Sequence, residues 1–231
     1  MRAVILAGGR GTRISEETYN KPKPMIKIGP FTLLEHIMDI YSKAGINEFI
    51  IATGYLHNVI EDYFKDYKKY NVSCLYTGDS TQTGGRIKRI ISNIPDEVLC
   101  LTYGDGLGNI DVKNSLLFHD NHGCLATVTA VRPQARFGRL TIENDSVVKF
   151  DEKMQTEESW INGGFFILNR KVGDYILGDE VIFESKPLKD LTSEGQLKAF
   201  KHYNFWSPVD TLREKNDLET DWNSGKAAWL T

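Results

Sequence analysis

Residues 1–25 read MRAVILAGGRGTRISEETYNKPKPM, and this segment contains the clearest structural pattern in the chain. The apolar run at 3–7 is too short for a helix and is ended by glycine, so it predicts a buried strand. Glycines follow at once, at positions 8, 9 and 11. Glycine lets a backbone approach a ligand closely and turn its amides toward phosphate oxygens. The segment therefore predicts a strand that delivers a phosphate-binding loop.

Cationic side chains follow the glycines, namely Arg13, Lys21 and Lys23, with prolines beside both lysines. Each could add a charge-assisted contact to the same phosphates. A dinucleotide fingerprint would need a third glycine where Ile14 stands, and the chain contains no Gly-Lys-Ser/Thr run typical of a P-loop. An ordinary glycine turn after an edge strand is the alternative, and the cationic series argues against it. The favoured interpretation is a nucleotide site of another type.

Size and composition set the broad class of the protein. The chain has 231 residues, of which 41% are hydrophobic and 26% charged, which suits one α/β domain with or without a small appendage. A formal net charge of -3 argues against general binding to nucleic acid or to an anionic membrane. Three widely spaced cysteines form no CxxC or cysteine–histidine pattern, which argues against zinc. A reducing cytoplasm is the expected setting.

Strand and helix patterns alternate through the first half of the chain. Strands are predicted at 3–7, 48–53, 72–76, 98–103 and 125–131, and helices at 33–44, 59–67, 84–91 and 115–121. This βαβ rhythm predicts an α/β fold with a mostly parallel sheet covered by helices. The expected arrangement is a single domain, residues 1–231, whose nucleotide-binding half spans about 1–131.

The pattern changes in the second half, about 132–231, which is expected to bind an acceptor on the same sheet. Strands are predicted at 139–142, 147–151, 164–168 and 197–203, with a hairpin turn at 143–146. Helical stretches are predicted at 171–176, 188–192 and 211–223. Ligands of open α/β sheets bind outside the carboxyl ends of the strands.

Two carboxylates are candidates for a metal site. Asp105 stands between two glycines at the end of an apolar strand, and Asp210 lies in the segment WSPVDT. Mg²⁺ usually takes one or two protein carboxylates and completes its shell with water and phosphate oxygens. Asp105 as a plain turn former and Asp210 as a helix N-cap are the alternatives. The sequence does not show whether the two residues meet.

Other polar groups at predicted element ends are weaker candidates. The segment Thr83-Gly84-Gly85 enters a helix, whose first amides could bind an anion or a base edge. The adjacent Arg86, Lys88 and Arg89 are expected to form a solvated helix face. Convergent polar groups that a hydroxyl-rich ligand would need stand in the second half, at Arg136, Gly138, Glu152, Lys153, Asn162 and Gly163.

Taken together, these motifs resemble those of the sugar-phosphate nucleotidyltransferases. The matching segments are LAGGRGTR at 6–13, KPKPM at 21–25, TGDSTQTGGRIKR at 77–89, TYGDG at 102–106, RFG at 136–138, NGGFF at 162–166 and VDTLREK at 209–215. Three of these segments, at 77–89, 102–106 and 209–215, are most similar to the branch that transfers a cytidylyl group to glucose 1-phosphate. The resemblance implies a three-layer α/β/α sandwich, Rossmann-like, around a mixed and mostly parallel sheet.

The same resemblance implies roles for individual residues. Arg13 and Lys23 would be catalytic and would neutralise the triphosphate, with Lys21 as an auxiliary ligand, and Asp105 and Asp210 would hold Mg²⁺. The nucleotide would be bound by Leu6, Ala7, Gly8, Gly9, Gly11, Thr12, Arg13, Lys21, Lys23, Thr83, Gly84, Gly85, Gly104 and Asp105. The acceptor would be bound by Arg136, Gly138, Glu152, Lys153, Asn162 and Gly163.

The implied reaction joins a nucleoside triphosphate, with CTP favoured, to a sugar 1-phosphate and releases pyrophosphate. The implied enzyme is a homo-oligomer. One departure from the family pattern is the short connection at 68–76, where relatives carry a longer insertion, so the base and the oligomeric state both stay open. The acceptor stays open too, because relatives in surface-polysaccharide pathways accept other phosphorylated small molecules. A glycosyltransferase is a further alternative, but it would show Asp-x-Asp where Leu107 stands. A non-catalytic subunit would have lost the lysines and carboxylates that are present here.

Overall fold

A computed structural model describes residues 1–133, 139–151 and 160–231 of the protein. Its strands are β1 (Ala3–Ala7), β2 (Lys27–Ile28), β3 (Phe31–Thr32), β4 (Glu48–Thr53), β5 (Asn71–Tyr76), β6 (Val98–Tyr103), β7 (Gly106–Gly108), β8 (Ala126–Val131), β9 (Arg139–Glu143), β10 (Ser146–Asp151), β11 (Ile161–Asn169), β12 (Leu197–Lys201) and β13 (Trp206–Pro208). Its helices are α1 (Ser15–Thr18), α2 (Leu33–Ser42), α3 (His57–Phe64), α4 (Thr83–Asn93), α5 (Val112–His122), α6 (Lys186–Ser193) and α7 (Leu212–Asn223). Short 3-10 turns occupy Thr12–Ile14, Lys23–Met25, Arg170–Tyr175 and Ala228–Leu230.

The described strands form a central seven-stranded sheet in the order β12-β8-β11-β6-β1-β4-β5. Strand β1 pairs in parallel with β4 and β6, and only β11 runs antiparallel to its neighbours in this sheet. The predicted mixed, mostly parallel sheet is therefore confirmed. Because β11 follows residue 160, the second half of the chain contributes to the same sheet as the first.

Two hydrophobic cores cover the two faces of this sheet. Residues of β1 alternate between them, with Ile5 in one core and Val4 and Leu6 in the other. Helices α2, α3, α5 and α7 pack into the first core, and α4 and α6 into the second. All five residues of β1 are buried, as expected for a strand covered on both faces. The three-layer α/β/α sandwich is confirmed.

Most predicted elements lie where the periodicity placed them, and β1, β4 and β6 have the predicted bounds. The predicted hairpin is present as β9 and β10, with positive φ at Asn144 and Asp145 in the turn. The short pairs β2–β3 and β7–β13 were not predicted. Strands of two or three residues are too short to show a period, and β7 was interpreted as part of a turn. None of the helices in the described residues is long and apolar enough to cross a membrane.

Candidate active site

A cleft of about 640 Å³ lies at the carboxyl ends of β1 and β6, the strands that the sequence predicted to end in ligand-binding loops. It is open to solvent on one side. Its lining residues are Leu6, Ala7, Gly8, Gly9, Arg10, Gly11, Thr12, Arg13, Lys23, Pro24, Asp79, Ser80, Thr81, Gln82, Thr83, Arg86, Tyr103, Gly104, Asp105 and Glu184. Both predicted catalytic cations and one predicted metal carboxylate are therefore in one cavity.

The glycine loop after β1 has a different reason for glycine at each position. A Cβ on Gly8 would overlap the guanidinium of Arg86, whereas a Cβ on Gly9 would meet no protein atom within 4 Å. Gly11 has φ of +62°, the left-handed region that glycine adopts most easily. Close packing against Arg86 therefore requires glycine at position 8, and the left-handed backbone favours glycine at position 11. The space above Gly9 is open to a ligand.

Arg86 is buried beneath this loop, with a relative exposure of 4%. Its guanidinium donates to the carbonyl oxygens of Gly8 and Thr53, both at 3.0 Å, and to Oγ1 of Thr77 at 2.5 Å. Burial lowers the pKa of Arg86, although arginine stays charged at neutral pH. The expectation that Arg86 belongs to a solvated face is wrong, because this side chain turns inward to tie β1 to β4 and α4. Arg89 does lie on the surface, paired with Asp179.

Lys23 is the centre of the charged part of the cleft. Its ammonium lies 2.6 Å from Oδ2 of Asp105 and 2.6 Å from Oδ1 of Asp210, and its side chain is only 8% exposed. Arg13 reaches the other oxygen of Asp210 at 2.5 Å, but its own side chain is 72% exposed. Two cations and two carboxylates thus form one connected cluster, with the lysine buried in it and the arginine facing solvent.

The contact between Asp105 and Asp210, which the sequence left open, follows from the pairing of two short strands. Strands β7 and β13 run antiparallel with Pro208 opposite Gly106, and the amide of Val209 donates to the carbonyl of Asp105 at 2.8 Å. Asp105 directly precedes β7 and Asp210 closely follows β13, so the two carboxylates are neighbours although they are 105 residues apart in the sequence. Thr211, and not Asp210, caps helix α7, which leaves the Asp210 carboxylate for the cleft.

Comparison with known proteins agrees with this geometry. Residues 2–212 match the family model described as "Nucleotidyl transferase". The chain belongs to the nucleotidyl transferase family. It is 46% identical to the glucose-1-phosphate cytidylyltransferase of Salmonella typhi over 255 aligned positions, which cover 100% of this chain and 99% of that protein. It is 40% identical to the probable glucose-1-phosphate cytidylyltransferase of Bacillus subtilis, with 99% of each chain covered.

The crystal structure of HddC from Yersinia pseudotuberculosis has the same fold, with a TM-score of 0.76. The two chains are 26% identical, and the match covers 96% of this chain and 99% of that one. The family resemblance seen in the motifs, the nucleotidyltransferase chemistry and the fold are therefore confirmed. The alignment with the Salmonella typhi relative is 255 positions long against 231 residues here, a difference of 24 positions that are gaps in this chain.

A nucleotidyltransferase of this family commonly uses Mg²⁺, and the donor set of the cleft fits that ion. Asp105 and Asp210 present oxygens to a single point, the ammonium of Lys23, so both carboxylates can face one cation. Mg²⁺ prefers oxygen ligands and needs few from protein when phosphates supply the rest. No cluster of three or more His, Cys, Asp or Glu ligands occurs in residues 1–133, 139–151 and 160–231. Two carboxylates suit a metal that arrives with a nucleotide better than one bound by protein alone.

Some predicted nucleotide ligands of this nucleotidyltransferase lie outside the cleft. Lys21 pairs with Glu17 at 3.0 Å on the neighbouring surface. Gly84 and Gly85 are buried, and a Cβ on either would come within 2.6 Å of the backbone at Val181 or Asp179. These two glycines let the segment 179–184 pack against the start of α4. Only Thr83 of that motif lines the cleft.

The predicted acceptor ligands are only partly within the described residues. Arg136, Gly138, Glu152 and Lys153 lie outside them. Asn162 and Gly163 are on β11, beside the end of β6, where the side-chain Nδ2 of Asn162 donates to the hydroxyl of Tyr103 at 3.3 Å. The carbonyl of Gly163 accepts from Nε1 of Trp206 at 2.9 Å.

Several cleft residues were missed from the sequence. Tyr103 and Glu184 line the cleft together with residues of the loop 79–82. Tyr103 was interpreted as the last residue of a buried strand, and Glu184 lies in a segment that has no motif of its own. The paired glycines at 84 and 85 are the one local sign that another segment packs closely against the start of α4. They do not show which segment it is, so Glu184 could not be predicted from them.

Proposed function

We propose that this nucleotidyltransferase joins CTP to glucose 1-phosphate, forming CDP-glucose and pyrophosphate. The observation that carries the proposal is the cluster of Arg13, Lys23 and Asp105 in one open cleft beside a glycine loop, with Asp210 paired to both cations. The full-length similarity to proteins named glucose-1-phosphate cytidylyltransferase supports the choice of base and acceptor. Motifs at both ends of the chain take part, so residues 1–231 are proposed to work as one domain.

In the proposed reaction a phosphate oxygen of the sugar phosphate forms a bond to the α-phosphorus of CTP. The bond from that phosphorus to the oxygen bridging to the β-phosphate breaks, and pyrophosphate carries away the electron pair. A phosphate monoester is largely ionised near neutral pH, so no protein group has to remove a proton first. Catalysis then depends on positioning and on stabilising charge, as in other phosphoryl transfers.

The cations of the cleft are proposed to exchange partners when the nucleotide binds. In the structure, Lys23 and Arg13 form ion pairs with Asp105 and Asp210. A triphosphate would offer these cations stronger anionic partners, and Lys23 would contact the reacting phosphoryl group. Asp105 and Asp210 would hold Mg²⁺, which shields the repulsion between two anionic reactants. Arg13 is exposed enough to follow the phosphates without leaving a buried charge unpaired.

The two halves of the chain are proposed to bind different substrates. The nucleotide half, about 1–131, provides the backbone of Gly8 and Gly9 and the start of α4 for the base and ribose. The acceptor half, about 132–231, provides Asn162 and Gly163 next to the cleft. The roles of Arg136, Gly138, Glu152 and Lys153 as ligands of the sugar and its phosphate stay predictions.

A pyrophosphate-release assay tests the proposal directly. Each of CTP, UTP, GTP and dTTP is paired with glucose 1-phosphate and with a panel of other sugar phosphates, in the presence of Mg²⁺. The expected result is release with CTP and glucose 1-phosphate at least tenfold faster than with any other pair. A different fastest pair would replace the proposed base or acceptor, and no release from any pair would overturn the transferase assignment. The panel includes all bases because of the short connection at 68–76, of which residues 71–76 form β5.

CTP with Mg²⁺ is expected to raise the melting temperature of the protein. A ligand that binds only the folded state stabilises it by RT ln(1 + [L]/Kd), which is about 2.7 kcal/mol at a hundredfold excess over Kd. Differential scanning fluorimetry with CTP, Mg²⁺ and both together measures the effect. Because Lys23 and Arg13 already neutralise the metal carboxylates, Mg²⁺ alone should shift the melting temperature much less than both ligands together. An equal shift with Mg²⁺ alone would contradict this.

Oligomeric state and location are also proposals. Apolar side chains share one face of the hairpin β9–β10 and are 48–62% exposed: Leu140, Ile142, Val147 and Phe150. Exposed apolar surface of this kind supports a homo-oligomer, which sedimentation velocity would measure. A cytoplasmic location is supported by the three cysteines of the described residues, all of which are free thiols. No nucleic acid or membrane partner is proposed.

A further inference from the structure

A carboxylate from the second half of the chain reaches the cleft, and no role has yet been given to it. Glu184 lies on the turn just before α6 and is exposed toward the cleft. Its segment is fastened to the start of α4 by backbone bonds from Gln82 to Asp179 at 2.8 Å and from Gly84 to Val181 at 2.9 Å. The position of this carboxylate is therefore set by the packing that Gly84 makes possible, and not by a free loop.

Both oxygens of Glu184 accept hydrogen bonds from hydroxyl groups. Oε2 accepts from Oγ1 of Thr83 at 2.6 Å, and Oε1 accepts from the hydroxyl of Tyr103. Burial, and then the Glu184 carboxylate, raise the pKa of Tyr103, so its phenol stays protonated and donates. A carboxylate has about four acceptor sites and no donor. Two of those sites are used here, and the others are available to a ligand that donates.

The surroundings of Glu184 indicate which substrate would donate. The Tyr103 hydroxyl also lies 3.3 Å from Asn162, so the network runs from the start of α4 to β11 in the acceptor half. Phosphate groups would be repelled by this carboxylate and attracted by Arg13 and Lys23. Sugar rings, in contrast, present neighbouring hydroxyl groups that can donate, both in the sugar phosphate and in the ribose of CTP. The contact of the Tyr103 hydroxyl with Asn162 in the acceptor half favours the sugar phosphate.

We propose that Glu184 is a specificity-determining residue that accepts hydrogen bonds from hydroxyl groups of the sugar 1-phosphate, while Thr83 and Tyr103 hold its carboxylate in place. This inference rests on the proposed function, since it assigns a residue to the acceptor of that reaction. A site built to accept from a hydroxyl rejects an analogue that lacks it, because the acceptor that bound substrate shields from water is then left without a partner.

The test compares wild type with Glu184→Gln, which has the same shape but one acceptor oxygen fewer and no charge. KM is measured for glucose 1-phosphate at saturating CTP and for CTP at saturating glucose 1-phosphate. Glu184→Gln is expected to raise KM for glucose 1-phosphate at least tenfold and to change KM for CTP less than twofold. Glu180→Gln is the matched control, since Glu180 is exposed on the same segment and does not line the cleft. It should leave both constants unchanged.

Deoxy analogues of glucose 1-phosphate, each lacking one hydroxyl, identify the contact. Wild type should lose at least tenfold in kcat/KM with the analogue that lacks the contacted hydroxyl, and this loss should disappear in Glu184→Gln. Tyr103→Phe removes one donor to the carboxylate and provides a second variant. It should raise KM for glucose 1-phosphate about threefold and leave KM for CTP unchanged.

Two results would overturn the inference while the proposed function stands. The first is a rise in KM for CTP in place of that for the sugar phosphate, which would place a donor of CTP, the cytosine amino group or a ribose hydroxyl, on Glu184. The second is a deoxy penalty that stays the same in both variants, which would make Glu184 a structural residue. If wild type is inactive with CTP and glucose 1-phosphate, the proposed function fails by itself. The same comparison is then made with the active pair from the panel.

Discussion

Lys23→Met is expected to lower kcat by about 10²–10³, the loss typical of removing one preorganised charge-stabilising donor, or roughly 3–4 kcal/mol of transition-state stabilisation. The ammonium is almost fully buried and contacts both carboxylates that are proposed to hold the metal, so neither water nor another cation can take its place without rearrangement. The rate of pyrophosphate release at saturating CTP and glucose 1-phosphate measures the effect. Asp105→Asn should show a loss of similar size, because it removes one of the two proposed Mg²⁺ ligands.

Lys21→Met is the matched control for Lys23→Met. It removes the same group from the same segment, but Lys21 lies outside the cleft in an ion pair with Glu17. Its kcat should stay within about threefold of wild type, because Lys21 does not line the cleft. Its stability should change little too, because partly exposed ion pairs contribute little to stability. Circular dichroism should show all three variants folded. Near-normal release by Lys23→Met, or an equal loss in Lys21→Met, would contradict the role given to Lys23.

A melting-temperature readout separates the electrostatic role of Lys23 from its catalytic one. Without the ammonium, the remaining cation that pairs with Asp105 or Asp210 among the described residues is the exposed Arg13. Mg²⁺ alone should therefore stabilise Lys23→Met more than it stabilises wild type. An unchanged response to Mg²⁺ would mean that the lysine and the ion do not share these carboxylates.

The fold could be predicted from the sequence because its central elements are long and strongly patterned. The runs that became β1, β4 and β6 are mainly apolar and are followed by glycine, so their length and their bounding residues were enough to place them. The charged residues of the cleft were found for a similar reason. Asp105 stands two residues and Arg13 six residues after such a strand end, whereas Lys23 stands further along, in the segment KPKPM; all three lie in motifs that resemble those of one family.

The rest of the site depends on contacts between distant parts of the chain. Asp210 reaches Asp105 only because β13 pairs with β7, and three-residue strands have no detectable period. Arg86 occurs in a polar, basic run that is typical of a solvated helix face, and nothing local shows that its side chain turns under the glycine loop. Glu184 enters the cleft because Gly84 and Gly85 have no side chains, which is a relation between two segments about a hundred residues apart.

Gly8→Ala is expected to destabilise the protein by about 2–4 kcal/mol, because the new methyl group would occupy the place of the Arg86 guanidinium. An exposed arginine would simply swing aside. Arg86 is buried and donates to three oxygens, so moving it would break bonds to a charged donor and leave the carbonyls of Gly8 and Thr53 without that partner. Urea unfolding followed by circular dichroism measures the loss. We expect a lower midpoint and an unchanged slope.

Gly9→Ala provides the contrast that separates packing from ligand contact. Its Cβ would meet no protein atom within 4 Å but would enter the space above the loop that is proposed to hold the nucleotide. Stability should change by no more than about 0.5 kcal/mol, as for substitutions without new protein contacts, while KM for CTP rises. If Gly8→Ala proved as stable as Gly9→Ala, Arg86 would have to be mobile, and its three hydrogen bonds could not be what fixes the loop. If both variants bound CTP normally, the nucleotide would not approach this loop closely. The presence of glycine at position 9 would then need another explanation.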